Sequence, residues 1–276
     1  MKNIVTRTLT GIVFITIIIG SICISVYTFL AVFLLVSILG LMEFYKLSET
    51  ETIKPQRILG IISGSITFIS IALFAHGMID SHWIWFNLVF AFLIFMTELY
   101  RKKENPFGNI AYTLMGIFYI VLPLSILNLY YSPFLFRGEF NTHILISFFT
   151  MTWLIDTAAY LAGMAFGRHK LFERHSPKKT WEGSVGGFVM GIITAWVISL
   201  IFKDLQFYQW AIISVIITVT GGFGDLVESM FKRSVNTKDT GTILPGHGGI
   251  LDRFDCVFFS APLVYLYIYF FITNTL

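Results

Sequence analysis

The chain has 276 residues, of which 56% are hydrophobic, 17% aromatic and only 13% charged, about half the charged share of an ordinary soluble protein. Such a composition leaves too little polar surface to cover a water-soluble globule, and with a net charge of +3 no nucleic-acid partner is expected. The two cysteines, Cys23 and Cys256, have no paired spacing with each other or with histidine, which argues against a disulfide framework or a zinc site.

Charged residues fall between long apolar runs. Charge-free stretches extend over residues 8–42, 58–79, 81–97, 105–136, 183–202, 205–224 and 256–276, and about 20 apolar residues suffice for one crossing of a bilayer. The first stretch is long enough for two spans, 10–26 and 29–45, joined near Tyr27. A further span over 143–167 contains one internal acid, Asp156. The expected fold is therefore an all-α, polytopic integral membrane bundle of about nine helices.

Lys2 and Arg7 ahead of an apolar run also resemble a signal peptide, but no small-residue cleavage site follows and further spans come at once. With nine spans and a cytoplasmic N-terminus, seventeen of the nineteen Lys and Arg residues lie inside, all but Arg137 and Lys203. That is the asymmetry by which basic residues orient membrane proteins.

Residues 1–141 read as a transmembrane scaffold. The catalytic features are expected in 142–276, with cytoplasmic loops at 168–182 and 232–253. There Asp156, Glu182, Asp225, Glu228, Asp252 and Asp255 stand in or at the ends of spans, where an acid is costly unless it has a partner or a function. No repeat of 20–50 residues is visible, and no low-complexity linker separates a soluble domain.

If residues 221–233 are helical, Asp225, Glu228 or Ser229, and Lys232 share one face. The loop that follows carries Gly246, Gly248 and Gly249 close together, which lets backbone amides approach phosphate oxygens. Magnesium takes hard oxygen ligands and commonly bridges carboxylates to substrate phosphates. Asp225 and Asp252 with Lys232, Arg233, Lys238 and Arg253 supply that inventory. A generic basic loop with structural ion pairs would have the same composition; the order of the residues decides between the two.

From Ser229 the run Phe231, Lys232, Arg233, Lys238, Asp239, Gly241, Leu244, Pro245, His247, Gly248, Gly249, Ile250, Asp252, Arg253, Phe254 and Asp255 resembles the signature of the phosphatidate cytidylyltransferase (CDP-diglyceride synthetase) family, without departure. A second segment, Asp156 to Tyr160 with Gly163 and Gly167, then Ser176 to Gly183, resembles the family's other cytoplasmic stretch. Cys256 stands where the family pattern leads one to expect serine.

The resemblance implies transfer of CMP from CTP to phosphatidate, giving CDP-diacylglycerol and pyrophosphate. It further suggests a homodimer in a bacterial-type plasma membrane, with the active site on the cytoplasmic face. Asp225 and Asp252 are the expected ligands of Mg2+, with Asp255 and Glu228 serving a second cation or the surrounding shell. Asp225, Lys232 and Asp252 are the expected catalytic set. Lys232 and Arg233 are assigned to phosphatidate or pyrophosphate, and Lys178, Lys179 and Lys238 to the CTP triphosphate. Ser176, Thr180, Asp239, Gly248, Gly249 and Arg253 complete the expected substrate contacts. His247 either donates a proton to pyrophosphate or makes structural hydrogen bonds. Asp156 either orients Lys178 or Lys179, completes a cation site, or has a buried structural partner. Two rivals use similar residues: a CTP-dependent lipid kinase, and an ion-coupled transporter, which would be expected to show internal repeats.

Overall fold

The computed structural model describes residues 2–132, 141–173, 176–237, 240–241 and 248–273. They form helices α1 (Lys2–Ile24), α2 (Val26–Ser48), α3 (Arg57–Ala75), α4 (Asn87–Arg101), α5 (Pro106–Gly116), α6 (Leu122–Tyr130), α7 (His143–Phe166), α8 (Trp181–Ile201), α9 (Phe207–Ser234) and α10 (Leu251–Tyr267). Among the described residues, eight helical runs are long and apolar enough to cross a membrane, and a shorter apolar helix, Leu9–Ile24 in α1, precedes them. The protein is an all-α polytopic membrane protein, as its hydropathy pattern predicts.

Local chemistry explains the joints. The first two spans meet at Ser25 rather than near Tyr27, because Ser25 starts α2: its Oγ accepts from Thr28 N at 3.2 Å, and Ser25 N donates to Thr28 Oγ1 at 3.1 Å. Those two bonds satisfy donors that a helix start leaves open. Asn105 caps α5 by accepting from Gly108 N at 2.9 Å, with Pro106 in the first helical position. α5 and α6 form one span interrupted by a π-helical turn, Ile117–Val121. Pro123 follows that turn, and a proline lacks the N–H that the carbonyl four residues earlier would accept.

Contacts divide the chain into two units. The first comprises Met1–Phe140 with Asp239–Phe254; the second comprises Asn141–Lys238 with Asp255–Leu276. α10 thus begins in one unit and continues in the other. The core of the first unit includes Phe29, Phe33, Phe44 and Tyr45, all buried. Tyr45 also places its hydroxyl on the Thr113 carbonyl at 2.8 Å, so the phenol is buried with its donor satisfied.

In the second unit α7 and α8 pack backbone to backbone along Gly183, Gly187 and Gly191. A Cβ at Gly183 would stand 2.8 Å from the Ala159 carbonyl oxygen, and one at Gly187 3.1 Å from Ala159 Cβ. Where no hydrophobic effect drives helices together, such small-residue stripes allow the close approach that association needs. Residues 168–182, expected as a loop, contain an antiparallel hairpin of β1 (Lys170–Phe172) and β2 (Ser176–Thr180), with Lys170 opposite Thr180 and Phe172 opposite Ser176. α9 has 28 residues, about 42 Å of helix against a hydrocarbon core of about 30 Å. Its last turns therefore carry polar residues beyond the apolar stretch.

Candidate active site

The second unit brings acids and lysines together at the C-terminal part of α9. Asp225 and Glu228 lie about one turn apart on α9, and Asp255 comes from α10. One carboxylate oxygen of each lies within 4.8 Å of the others. Three hard oxygen donors at that spacing match the preference of a small divalent cation. Sequence reasoning paired Asp225 with Asp252 and gave Glu228 and Asp255 the lesser part; the geometry groups Asp225 with Glu228 and Asp255.

Lysines neutralise this group. Lys179 Nζ lies 2.7 Å from Asp225 Oδ2 and donates to the Gly222 carbonyl at 3.1 Å. Lys232 Nζ lies 2.6 Å from Glu228 Oε2, a pair with side-chain exposures of only 12% and 1%. The helical spacing of four makes the second pair. The hairpin makes the first: successive strand residues point to opposite faces, so Lys179 turns inward to Asp225 while Lys178 is exposed. Glu182 steadies the hairpin, accepting from Arg168 N at 3.1 Å and His169 Nδ1 at 2.6 Å.

Asp255 and Asp156 flank Cys256. Asp255 Oδ1 accepts from Cys256 N at 2.7 Å, and Cys256 Sγ lies 3.4 Å from Asp156 Oδ2 as a weak donor. The thiol that stands in place of the expected serine thus contacts Asp156. Ser229 Oγ donates to Asp225 Oδ1 at 3.3 Å, and Arg233 is exposed with Nη1 on the Thr237 carbonyl at 3.2 Å. Ser176 is half-buried in β2. Thr180 is 5% exposed and caps α8, accepting from Gly183 N at 3.2 Å. Lys238, Asp239 and His247 lie outside the described residues.

Asp252 belongs to the first unit, where it anchors the glycine loop. Its Oδ2 accepts from Thr240 Oγ1 at 2.7 Å, Gly249 N at 2.9 Å and Thr240 N at 3.1 Å. Gly248 takes a φ of 86°, and a Cβ there would come within 2.6 Å of the same carboxylate oxygen, so both backbone and space demand glycine. Arg253 is exposed at the start of α10.

Sequence reasoning missed Glu43. This α2 acid is 5% exposed, its Oε2 accepts from Leu251 N at 3.0 Å, and a Cβ at Gly241 would come within 2.6 Å of its Oε1. The signal was present as a lone acid inside a predicted span. Glu43→Ala is expected to destabilise the protein by about 1–3 kcal/mol, because the buried Leu251 N–H loses its acceptor, and to speed proteolysis near residues 238–250. Glu43→Gln, which keeps an acceptor oxygen, should stay within about 1 kcal/mol of wild type. Thermal unfolding and limited proteolysis in detergent measure both.

A model described as the cytidylyltransferase family matches residues 5–271 of this chain. The chain belongs to that family. It is 40% identical over 179 residues to the phosphatidate cytidylyltransferase of Staphylococcus saprophyticus, and 36% and 38% identical over the same length to proteins of that name from Staphylococcus haemolyticus and Staphylococcus aureus. Each alignment covers 64% of this chain and 66% of the relative, just under two thirds of the relatives' length. Membership agrees with the signature at 229–255 and gives the α9 acid group a chemical context.

Proposed function

We propose that the protein transfers CMP from CTP to phosphatidate, forming CDP-diacylglycerol and releasing pyrophosphate. The family match across residues 5–271 carries this reading, and relatives named phosphatidate cytidylyltransferase support the choice of lipid. A nucleotide triphosphate and a phosphate monoester are both anionic, so the reaction needs positioning and charge neutralisation more than covalent chemistry.

An oxygen of the phosphatidate monoester attacks the α-phosphorus of CTP, a new P–O bond forms, and the bond to the bridging oxygen of pyrophosphate breaks. The second pKa of a phosphate monoester is about 6, so the nucleophile is already ionised near neutral pH and no strong general base is required. Asp225, Glu228 and Asp255, with oxygens mutually within 4.8 Å, would hold a divalent cation such as Mg2+. When bound, that cation supplies charge neutralisation and orientation at the phosphates. Lys179 and Lys232 hold the acids in place beforehand and offer cationic groups to incoming phosphate oxygens. Asp252 holds the backbone around Thr240 and Gly249, which suits a loop whose amides face phosphate. Sidedness follows the basic residues, with the site facing the cytoplasm where CTP is supplied.

Purified protein supplied with phosphatidate, Mg2+ and CTP labelled at the α-phosphate should place label in the organic phase only when phosphatidate is present. Label from the γ-phosphate should leave as pyrophosphate. γ-Label in lipid would mean a kinase, and no label in lipid from either position would remove the proposed transfer.

A further inference from the structure

The first unit contains a charged groove that the proposed transfer does not use. About 620 Å3 in volume, it lies where α3 begins and α4 ends. Lys54, Arg57, Arg101 and Lys103 line it with one acid, Glu49; with the buried Glu98 paired to Arg101, four cations meet two acids, an excess of two positive charges. Glu49 is shared by Lys54, at 3.4 Å, and Arg57, so the acid is divided between two of the four cations.

A buried network fixes the arginine on α4. Glu98 is 4% exposed and accepts from Gln56 Nε2 at 2.6 Å, Asn109 Nδ2 at 2.6 Å and Arg101 Nη1 at 2.7 Å. Gln56, itself 6% exposed, accepts from Thr97 Oγ1 at 2.6 Å. A guanidinium held in this way loses little further freedom when its remaining donors meet an anion. Lys102 ends α4 in the left-handed region at a φ of 51°. A lysine does not favour that conformation, and Lys103, which follows, lines the groove.

Apart from Gln56 and Thr97, the rest of the lining is apolar: Pro55, Ile58, Leu59 and Ile62. Ile58 and Ile62, on one face of α3, are 78% and 47% exposed, and Ile69 continues the stripe away from the charged end at 42%. A soluble anion would satisfy the cations but make no use of the exposed isoleucines beside them. A molecule with an anionic head and long apolar chains matches both parts. Basic pockets between the ends of transmembrane helices recognise anionic lipid headgroups in this manner.

We propose that this groove binds one anionic diacyl phospholipid of the surrounding bilayer, with its phosphodiester on Arg101, Lys103, Arg57 and Lys54 and an acyl chain along Ile58 and Ile62. The lipid is a bound component of the bilayer, separate from the lipid consumed at the α9 acids. It would hold the start of α3 against the end of α4 where Glu98, Gln56 and Asn109 are buried.

Native mass spectrometry of the full chain released from detergent tests this without CTP or turnover, so its failure is distinct from failure of the proposed transfer. The protein is offered dioleoylphosphatidylglycerol, dioleoylphosphatidylcholine and dioleoylphosphatidate separately. One phosphatidylglycerol adduct is expected to survive activation that strips phosphatidylcholine. The double variant Arg57→Gln with Lys103→Gln, which leaves the Glu98 network intact, should lower its retention at least about tenfold, since each basic residue near a lipid surface contributes about 1 kcal/mol. Ile62→Trp, filling the apolar floor, should lower retention with all four cations present. Equal retention of phosphatidylcholine, unchanged retention in both variants, or retention of phosphatidate alone would overturn the proposal; the last would make the groove a substrate site.

Discussion

Asp225→Asn is expected to lower kcat about a hundred- to a thousandfold, the usual loss when a group that stabilises reacting charge is removed from a site, and to raise the Mg2+ concentration needed for half-maximal activity. The change keeps shape and removes one negative charge, so it weakens the hold on a divalent cation and leaves Lys179 Nζ, now 2.7 Å from Asp225 Oδ2, beside a neutral amide. Asp255→Asn should act in the same direction, because its oxygen belongs to the same group. Glu228→Gln is a poorer probe. Glu228 is 1% exposed and pairs with Lys232 at 12% exposure, and breaking a buried pair from one side costs about 3–5 kcal/mol in stability alone. Asp225, at 33% side-chain exposure, carries less of that penalty. Steady-state kinetics across a Mg2+ titration, with thermal unfolding as a control, separates the effects. Normal activity and normal Mg2+ dependence in Asp225→Asn would remove this residue from the site.

A pair of glycine substitutions two residues apart should differ by about two orders of magnitude in activity. At Gly224 a Cβ would fall against the Asp255 carbonyl oxygen, 3.1 Å from Asp255 C and 3.3 Å from Cys256 Cα. All three atoms are backbone, so no rotamer change relieves the contact, and α9 must move from α10 at the residue that supplies the third carboxylate. Such overpacking costs about 1–3 kcal/mol, and a displacement of about 1 Å at a reacting centre can lower the rate about a hundredfold. Nothing lies within 4 Å of a Cβ at Gly222. Gly222→Ala is therefore expected to preserve activity and to gain up to about 1 kcal/mol from helix propensity, with the Gly222 carbonyl still available to Lys179. Comparing kcat and unfolding temperature for the two variants gives the result directly; equal activities would mean that the α9 to α10 approach does not set the geometry of the acids.

The helices were legible because a span is a one-dimensional property: a run of about 20 apolar residues is required whatever it packs against. The helical spacing of Glu228 and Lys232 was legible for a similar reason, since i and i+4 are neighbours on any helix. The hairpin at 170–180 was not, because its strands have only three and five residues, and β2, with no large apolar side chain, is mostly exposed or half-buried. No alternating apolar pattern announces it. Glu43 and Glu98 stand inside or beside N-terminal spans with few other polar residues, a composition that reads as scaffold. Yet both are nearly fully buried, with hydrogen-bond donors supplied by Leu251 to the first and by Gln56, Asn109 and Arg101 to the second.

By itself, the order of residues determined the membrane class, the number of helices and the family signature, because hydropathy runs and fixed spacings act along the chain. Only the tertiary structure showed which acids of the second unit lie close together. It placed Asp225, Glu228 and Asp255 together with Lys179, whose partner lies 46 residues away, and it put the Asp252 carboxylate on the amides of the glycine loop. A carboxylate binds whatever donor or cation comes within about 3 Å. For Asp225 and Asp255 the close approach of α9 and α10 at Gly224, whose Cβ would fall on the Asp255 and Cys256 backbone, contributes to that proximity.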